Sequence, residues 1–118
     1  MEYTLLIYAD QAAFETISPA QMKETQAAYH AYTEALQEAG VLRGANRLRP
    51  TQTATTVRLR SGKTEVLNGP YAETREQLGG YYIIDVANMD EAIKWASRCP
   101  AAQWGSIEVR PYHPGYAP

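Results

Sequence analysis

The sequence predicts an α+β domain in which two helices cover one face of an antiparallel sheet. Segments rich in Tyr, Thr, Leu, Ile and Val alternate as strands do, and they span residues 2–8, 41–48, 54–60, 63–67, 80–86 and 103–110. Two further segments, 19–39 and 89–98, have helical spacing and capping signals. The order β-α-β-β-β-loop-β-α-β is the ferredoxin-like split βαβ pattern with an extra hairpin strand.

The first strand and the first helix carry the clearest local signals. Residues 2–8 place apolar side chains on both faces, which indicates a strand inside the sheet. The residues between this strand and Ser18 are expected to form a loop. Ser18, Pro19 and Gln21 combine an N-cap, a first-turn proline and a capping-box glutamine. Because Gly40 supplies a stop, the longest helix is predicted between these signals.

The later elements follow from turns and caps. Ser61-Gly62 predicts a tight hairpin between the third and fourth strands. Asn88 is an N-cap for the second helix, which Pro100 ends. After the last strand, residues 111–118 lack periodicity and are expected to form an irregular tail.

Length and charge limit the function. The 118 residues fit a single domain, 1–118, without a linker that divides it. A net charge of −2 gives no general attraction to nucleic acid or to an anionic membrane. Residues 1–40 nevertheless hold six acids against Lys23, whereas residues 41–63 hold six basic side chains and no acid. The basic segment indicates either charge that protects strand edges or a surface for a small anionic ligand.

Cysteine content and hydropathy bear on location. Cys99 is the single cysteine and precedes Pro100, so it is expected to be a small structural residue rather than a nucleophile. No apolar run approaches the roughly 18 residues of a membrane span, and the start of the chain lacks the basic and apolar pattern of an export signal. We therefore expect a cytoplasmic protein with neither a membrane nor a nucleic-acid partner.

The stretch from Asn68 to Asp85 is the best candidate for function. A turn signal, Asn-Gly-Pro, leads into a polar segment, and a glycine pair then opens a strand. Glu73, Arg75 and Glu76 form the densest cluster of ionisable groups near a predicted strand end. Two interpretations stay open, namely a solvated helical turn over the sheet edge and a functional loop.

This stretch resembles the signature of the YCII-related proteins of the DGPF type, which has the form Asp-Gly-Pro-Phe-Ala-Glu-Thr-Lys-Glu-Gln-Leu-Gly-Gly-Phe-Tyr. Here the same frame reads Asn68-Gly69-Pro70-Tyr71-Ala72-Glu73-Thr74-Arg75-Glu76-Gln77-Leu78-Gly79-Gly80-Tyr81-Tyr82. Asn68 removes the charge of the family's Asp, whereas Tyr71, Arg75 and Tyr81 keep the character of the residues that they replace. The resemblance covers nearly the whole chain.

The resemblance implies an assembly but no settled activity. It implies a dimeric α/β barrel, in which the sheets of two subunits pack face to face and cover the sheet face that two helices leave open. YCII-type relatives outside the DGPF branch are associated with a His–Asp pair. His30 is the histidine that this chain offers, but residues 41–63 contain no acid, so the pair is incomplete.

The residues favour two kinds of function. Metal-ligand spacing, a phosphate loop, a dinucleotide motif and a nucleophile elbow do not occur, so no cofactor or metal is expected. The first hypothesis is a homodimeric small-molecule-binding or regulatory module. Its predicted ligand-binding residues are Arg43, Arg49, Asn68, Gly69, Pro70, Tyr71, Arg75 and Tyr82.

The second hypothesis is a cofactor-free lyase or isomerase that acts on a small polar or phenolic compound. In it, Glu73 or Glu76 moves a proton, with His30 approaching from the long helix. The two hypotheses differ in whether these three side chains converge.

Overall fold

The structure, a computed structural model, describes residues 1–115 and confirms the predicted α+β class. The six strands are β1 Glu2–Ala9, β2 Leu42–Arg47, β3 Thr55–Arg60, β4 Lys63–Asn68, β5 Gln77–Asp85 and β6 Ser106–Pro111. The helices are α1 Gln11–Glu15, α2 Pro19–Glu38 and α3 Met89–Arg98, with 3₁₀ turns at Thr51–Thr53 and Pro100–Gln103. The last part of the expected tail, 116–118, lies outside the described residues.

Four strands form the main sheet in the order β2-β5-β1-β6, with antiparallel neighbours. This is the ferredoxin-like arrangement, and β1 and β5 occupy its centre as their two apolar faces predict. Leu5 lies opposite Tyr82 on one side and Val109 on the other. Because side chains alternate along a strand, this register places those three residues on one face of the sheet.

The core lies between that face and the two long helices. Leu5 and Ile84 from the sheet are fully buried against Leu36 of α2 and Ala92 of α3. The capping box at Ser18 forms as predicted and starts α2. The opposite face of the sheet keeps apolar side chains that are only half-buried, among them Leu6, Tyr81 and Ile83. Neither long helix covers that face.

Three local expectations are corrected. The stretch expected to be a loop before Ser18 contains α1, because the Asp10 side chain accepts a hydrogen bond from the Ala12 amide at 3.0 Å and caps a helical turn. The strand expected from Gly80 begins at Gln77, so the polar loop is shorter. The last strand begins at Ser106, because a 3₁₀ turn occupies the residues before it.

The predicted hairpin forms but stands outside the main sheet. Ser61 and Gly62 adopt φ values of 50° and 75°, as a tight turn requires. β3 and β4 then pair with each other as a separate two-stranded sheet. Pro50, which has no amide hydrogen, and the 3₁₀ turn after it redirect the chain away from the edge strand β2. Within residues 1–115, no helix is long and apolar enough to cross a bilayer.

Candidate functional site

A cavity of about 520 Å³ lies between the first half of α2 and the end of the sheet where β1 finishes and β5 begins. This volume falls in the range typical of small-molecule sites. Its lining is mostly apolar and aromatic, and includes Ile7, Phe14, Met22, Tyr29, Leu48, Tyr82 and Trp104. The lining therefore has the mainly apolar composition that is typical of a ligand pocket.

Gly80 helps to explain why space exists beneath α2. It lies opposite Ile7 in the sheet and is buried on the helix-covered face. A Cβ atom at this position would lie 2.8 Å from the carbonyl oxygen of Asn46. Close approach of the neighbouring strand thus requires glycine here, and the missing side chain leaves room beside Tyr82.

The short helix α1 forms the outer wall of the cavity. The Gln11 amide donates to the Gln77 side-chain oxygen at 3.0 Å. The Gln11 side-chain oxygen accepts from the Thr51 amide at 3.2 Å and from its hydroxyl at 3.0 Å. Phe14 packs edge-on against Trp104, with ring centroids 5.9 Å apart. These contacts join α1 to residues beside both edge strands, β2 and β6, at one end of the sheet and hold the wall in place.

The polar groups that line the cavity are mainly uncharged. Thr25 and Gln26 line it from α2, whereas the Asn46 side chain lies on the open face of the sheet, where its amide donates to the Tyr81 hydroxyl at 2.9 Å. The charged lining residues are Glu15 and Arg47, which are both exposed to solvent and so lie at the rim. The lining offers hydroxyl and amide groups for hydrogen bonds, and its two charged side chains have opposite signs.

Two phenols in the cavity wall stay protonated. Burial raises the pKa of Tyr82 above its usual value, against the opposing effect of a hydrogen bond with the Thr33 hydroxyl at 2.8 Å. Burial also raises the pKa of Tyr29, and the adjacent Cys99 adds to this shift. At neutral pH both residues are hydrogen-bonding hydroxyls and neither is a base.

Cys99 lies behind this wall as a structural residue. Its side chain is buried, and its thiol donates a weak hydrogen bond to the Tyr29 hydroxyl at 3.9 Å. Burial raises the pKa of the thiol, so little of the nucleophilic thiolate is present near neutral pH. Within residues 1–115, no three His, Cys, Asp or Glu side chains cluster as a metal site.

The three predicted acid–base residues do not converge within the described chain. His30 is 77% exposed on α2 and pairs with Glu34 at 3.0 Å. Glu73 is exposed, and Glu76 accepts a hydrogen bond from the Ser106 hydroxyl at 2.8 Å. Among residues 1–115, no hydrogen bond joins His30 to either glutamate. None of the three lines the cavity.

The predicted ligand-binding residues are also dispersed. Of that set, Tyr82 lines the cavity. Arg43 lies near the other end of the sheet, 3.5 Å from the carboxylate of Asp85. Gly69 anchors the hairpin, because its amide donates to the Ala54 carbonyl at 2.8 Å and its own carbonyl accepts from the Thr56 hydroxyl at 2.9 Å. The remaining positions are exposed or half-buried: Arg49, Asn68, Pro70, Tyr71 and Arg75.

Sequence reasoning missed most of the cavity wall. Gln11 and Gln77 meet across 66 positions of chain, and nothing local marks that contact. Phe14 belongs to the stretch expected to be a loop. The glycine pair at 79–80 could have indicated the cavity, because glycines in a strand beneath a helix leave space that side chains would otherwise fill.

The fold and this mainly apolar cavity define a ferredoxin-like α+β protein with a small-molecule-sized pocket. The YCII-related domain model matches residues 1–114. An uncharacterized protein of Rhizobium meliloti (strain 1021) is 40% identical over 123 residues, which cover 100% of this chain and 99% of that protein. The chain belongs to the YCII-related family, as the resemblance in its central motif indicated.

A solved structure shares the fold. It is 5-chloro-2-hydroxyhydroquinone dehydrochlorinase from Burkholderia phenoliruptrix AC1100, in complex with 2,5-dihydroxybenzoquinone. The match has a TM-score of 0.51 at 14% identity and covers 98% of this chain and 96% of that one. At this identity, the likeness establishes the fold alone.

Proposed function

We propose that this protein is a homodimeric small-molecule-binding module whose ligand occupies the cavity between α2 and the sheet. The observation that carries the proposal is the combination of an apolar, aromatic wall with uncharged hydrogen-bonding groups in a volume of about 520 Å³. Binding sites for small molecules typically combine a mainly apolar surface with a few polar groups that set orientation.

The chemistry of the lining favours a small phenolic compound. Trp104 and Phe14 offer aromatic edges and faces for a ring. The protonated Tyr29 lies in the same wall and provides a hydroxyl group for a ligand oxygen, whereas the Tyr82 hydroxyl donates to Thr33. The rim carries one acid, Glu15, and one base, Arg47, so it favours neither sign of ligand charge. A cavity of about 150 Å³ already holds benzene, so this one has room for a substituted ring with water.

The homodimer is supported by the uncovered face of the main sheet. Leu6, Tyr81 and Ile83 lie on that face and remain half-buried in the single chain. A second copy presents the same surface and is the simplest cover for it. A cytoplasmic location is part of the proposal and is supported by the single buried thiol, which suits a reducing compartment.

The alternative is a cofactor-free lyase or isomerase that uses acid–base chemistry on a phenolic compound. The shared fold with a dehydrochlorinase is compatible with it, but a fold hosts many activities. This alternative has less support, because His30, Glu73 and Glu76 are absent from the cavity lining and the phenols there are protonated.

Binding is tested by titrating the protein with hydroquinone, with benzoate as an anionic ring of similar size, and recording the two tryptophan indole signals by NMR. Trp104 lines the cavity, whereas Trp95 packs against Tyr32 and Arg98 elsewhere. We expect hydroquinone to shift the Trp104 signal and leave that of Trp95 in place. If neither ring shifts Trp104, or if both indoles move equally, specific binding in the cavity is refuted.

A matched pair of variants locates the site. Thr25→Phe directs a ring into the cavity, whereas Glu24→Phe places the same ring on the exposed side of α2. We expect the first variant to weaken hydroquinone binding by about tenfold or more, and the second to bind as the wild type does. Equal affinity of both variants would place any binding elsewhere.

The same samples separate binding from catalysis. Product signals that grow with time would favour the lyase or isomerase alternative. In that case Glu73→Gln or His30→Gln should abolish turnover in a folded protein, since the alternative assigns proton transfer to those groups. A stable complex without product supports the binding module.

A further inference from the structure

An irregularity in the pairing of β1 with β5 turns the side chain of Gln77 towards the cavity. Ile7 lies opposite Gly80, but the next residue, Tyr8, lies opposite Leu78, so β5 contains one extra residue. Strict alternation from Gly80 would turn Gln77 to the open face of the sheet. The extra residue instead brings Gln77 onto the helix-covered face, where it lines the cavity. Bulges of this kind often re-aim a side chain beside a functional site.

The carboxamide of Gln77 is fixed through its oxygen. That oxygen accepts a hydrogen bond from the main-chain amide of Gln11 at 3.0 Å. A main-chain N–H can only donate, so the atom that it meets is the oxygen and the other terminal atom is the NH₂ nitrogen. Gln11 is in turn held at Thr51 through its own side-chain oxygen. The Gln77 nitrogen therefore has a set position beside α1.

This nitrogen is available to a ligand. Among residues 1–115, no protein group accepts a hydrogen bond from it. It also keeps contact with open space, because in the described chain the fully buried side-chain nitrogen or oxygen without a partner is Nε of Arg58. Gln77 is half-buried, and the cavity is the space that it lines. It thus places an uncharged hydrogen-bond donor at the surface of a mainly apolar cavity.

The hydrogen-bonding groups of the cavity select for a particular ligand chemistry. The Gln77 nitrogen can only donate, so it requires an acceptor on the ligand. The Thr25 hydroxyl already donates to the Gln21 carbonyl at 3.0 Å, so its oxygen is left to accept from a ligand hydroxyl. A carboxylate gains no net ionic partner, because Glu15 and Arg47 at the rim have opposite signs. A neutral carbonyl oxygen together with a hydroxyl fits this arrangement.

We infer that Gln77 is a specificity-determining residue that donates to a carbonyl oxygen of the ligand, and that the ligand is a phenolic ring that also carries a neutral carbonyl group. The inference rests on the proposed function, because it concerns the same cavity. The competing role for Gln77 is structural, namely to hold α1 against the sheet through the Gln11 amide. The two roles differ in which terminal atom of the side chain matters.

A pair of ligands tests the donor in the wild-type protein. Para-hydroxyacetophenone and para-isopropylphenol share a ring, a hydroxyl and a substituent of similar size, but only the first has a carbonyl oxygen. In a cavity without a suitable donor, the more apolar isopropyl compound binds more tightly. We expect the opposite order by the Trp104 indole signal, with the carbonyl compound favoured by about threefold to tenfold, as one net hydrogen bond provides. Equal or tighter binding of the isopropyl compound overturns the inference.

Gln77→Glu separates the donor from the structural role. Glutamate keeps an oxygen that can accept from the Gln11 amide, but its ionised carboxylate cannot donate. We expect the preference for the carbonyl compound to be lost or reversed in a protein that keeps its fold. The matched control is Gln52→Glu, the same change at an exposed position outside the cavity, which should keep the preference. An unchanged preference in Gln77→Glu, or an equal loss in both variants, overturns the inference.

The side-chain NH₂ signals of Gln77 provide a further test if Gln77→Glu does not fold. In NMR spectra of the isotope-labelled wild type, we expect the carbonyl compound to shift these signals and the isopropyl compound to shift them less. Gln77 signals that stay in place while Trp104 responds overturn the inference and leave the proposed function standing. If hydroquinone and both phenols leave Trp104 unmoved, the cavity does not bind such rings, and the proposed function fails together with the inference.

Discussion

Tyr32→Phe should destabilise the protein because it removes a hydroxyl that joins α2 to the end of α3. The Tyr32 hydroxyl donates to the carbonyl of Trp95 at 2.8 Å. That carbonyl belongs to the last turn of α3, where main-chain acceptors lack partners in the helix. In a regular helix the Cys99 amide would donate to the Trp95 carbonyl, but here it donates to the Ala96 carbonyl. The substitution therefore leaves a partly buried acceptor without this partner.

The size of the effect follows from that unpaired acceptor. Tyr32 is 5% exposed, so water has little access to replace the hydroxyl. Leaving a buried acceptor unsatisfied costs about 1–3 kcal/mol. With an unfolding entropy of about 2.1 cal/mol/K per residue, a loss of about 2 kcal/mol in this chain lowers Tm by about 8 °C. Calorimetry at fixed protein concentration measures this shift.

Tyr82→Phe is the matched control, since it also removes one phenolic hydroxyl. The Thr33 hydroxyl that contacts Tyr82 donates to the Tyr29 carbonyl at 2.9 Å. Loss of the Tyr82 hydroxyl thus leaves the donor of Thr33 satisfied, and we expect a cost of about 0.5–1 kcal/mol. If the two variants lose equal stability, or if Tyr82→Phe loses more, then the unpaired carbonyl at the end of α3 is not the reason that Tyr32→Phe destabilises the protein.

Two further predictions concern backbone packing and pH. A Cβ at Gly105 would lie 2.2 Å from a carbonyl oxygen of β1, so Gly105→Ala should cost about 3 kcal/mol or more in chemical denaturation. Gly79→Ala, with its nearest contact at 4.0 Å, should cost less than about 1 kcal/mol, and a reversed order would contradict this packing. The N-terminal ammonium beside Asp85, with Arg43 nearby, lowers the pKa of the Asp85 carboxyl from 3.8. The ionised carboxylate therefore stabilises the folded protein above pH 3.8. This stabilisation is lost as the pH falls through the lowered pKa. Asp85→Asn should reduce Tm at pH 6 and have progressively less effect as the pH falls below 3.8, and a Tm difference that does not vary with pH would argue against the pair.

Most of the fold was predictable because its signals are local. The period-two pattern of Tyr3, Leu5 and Ile7 identified an inner strand, and the cap at Ser18 identified the start of α2. The family resemblance in the stretch from Asn68 to Tyr82 was confirmed by the match over residues 1–114. The short helix α1 was missed because five residues carry too little periodicity to predict one.

The site was much less predictable. The charged loop attracted attention because ionisable residues cluster in the sequence, yet Glu73 is exposed and His30 pairs within its own helix. Whether either has a role in the proposed alternative remains a prediction. The cavity depends instead on residues such as Gln11 and Trp104, whose significance comes from neighbours distant in the chain.

The sequence by itself determined the class of fold, the caps, the hairpin turn and the family, because each depends on alternation, spacing or a short motif read along the chain. Tertiary structure alone decided where the cavity lies and that the hairpin stands apart from the main sheet. The cavity results from Gly80 lying beneath α2 while α1 closes the side. Void volume and strand partners depend on how distant elements approach one another, and no local pattern specifies that distance.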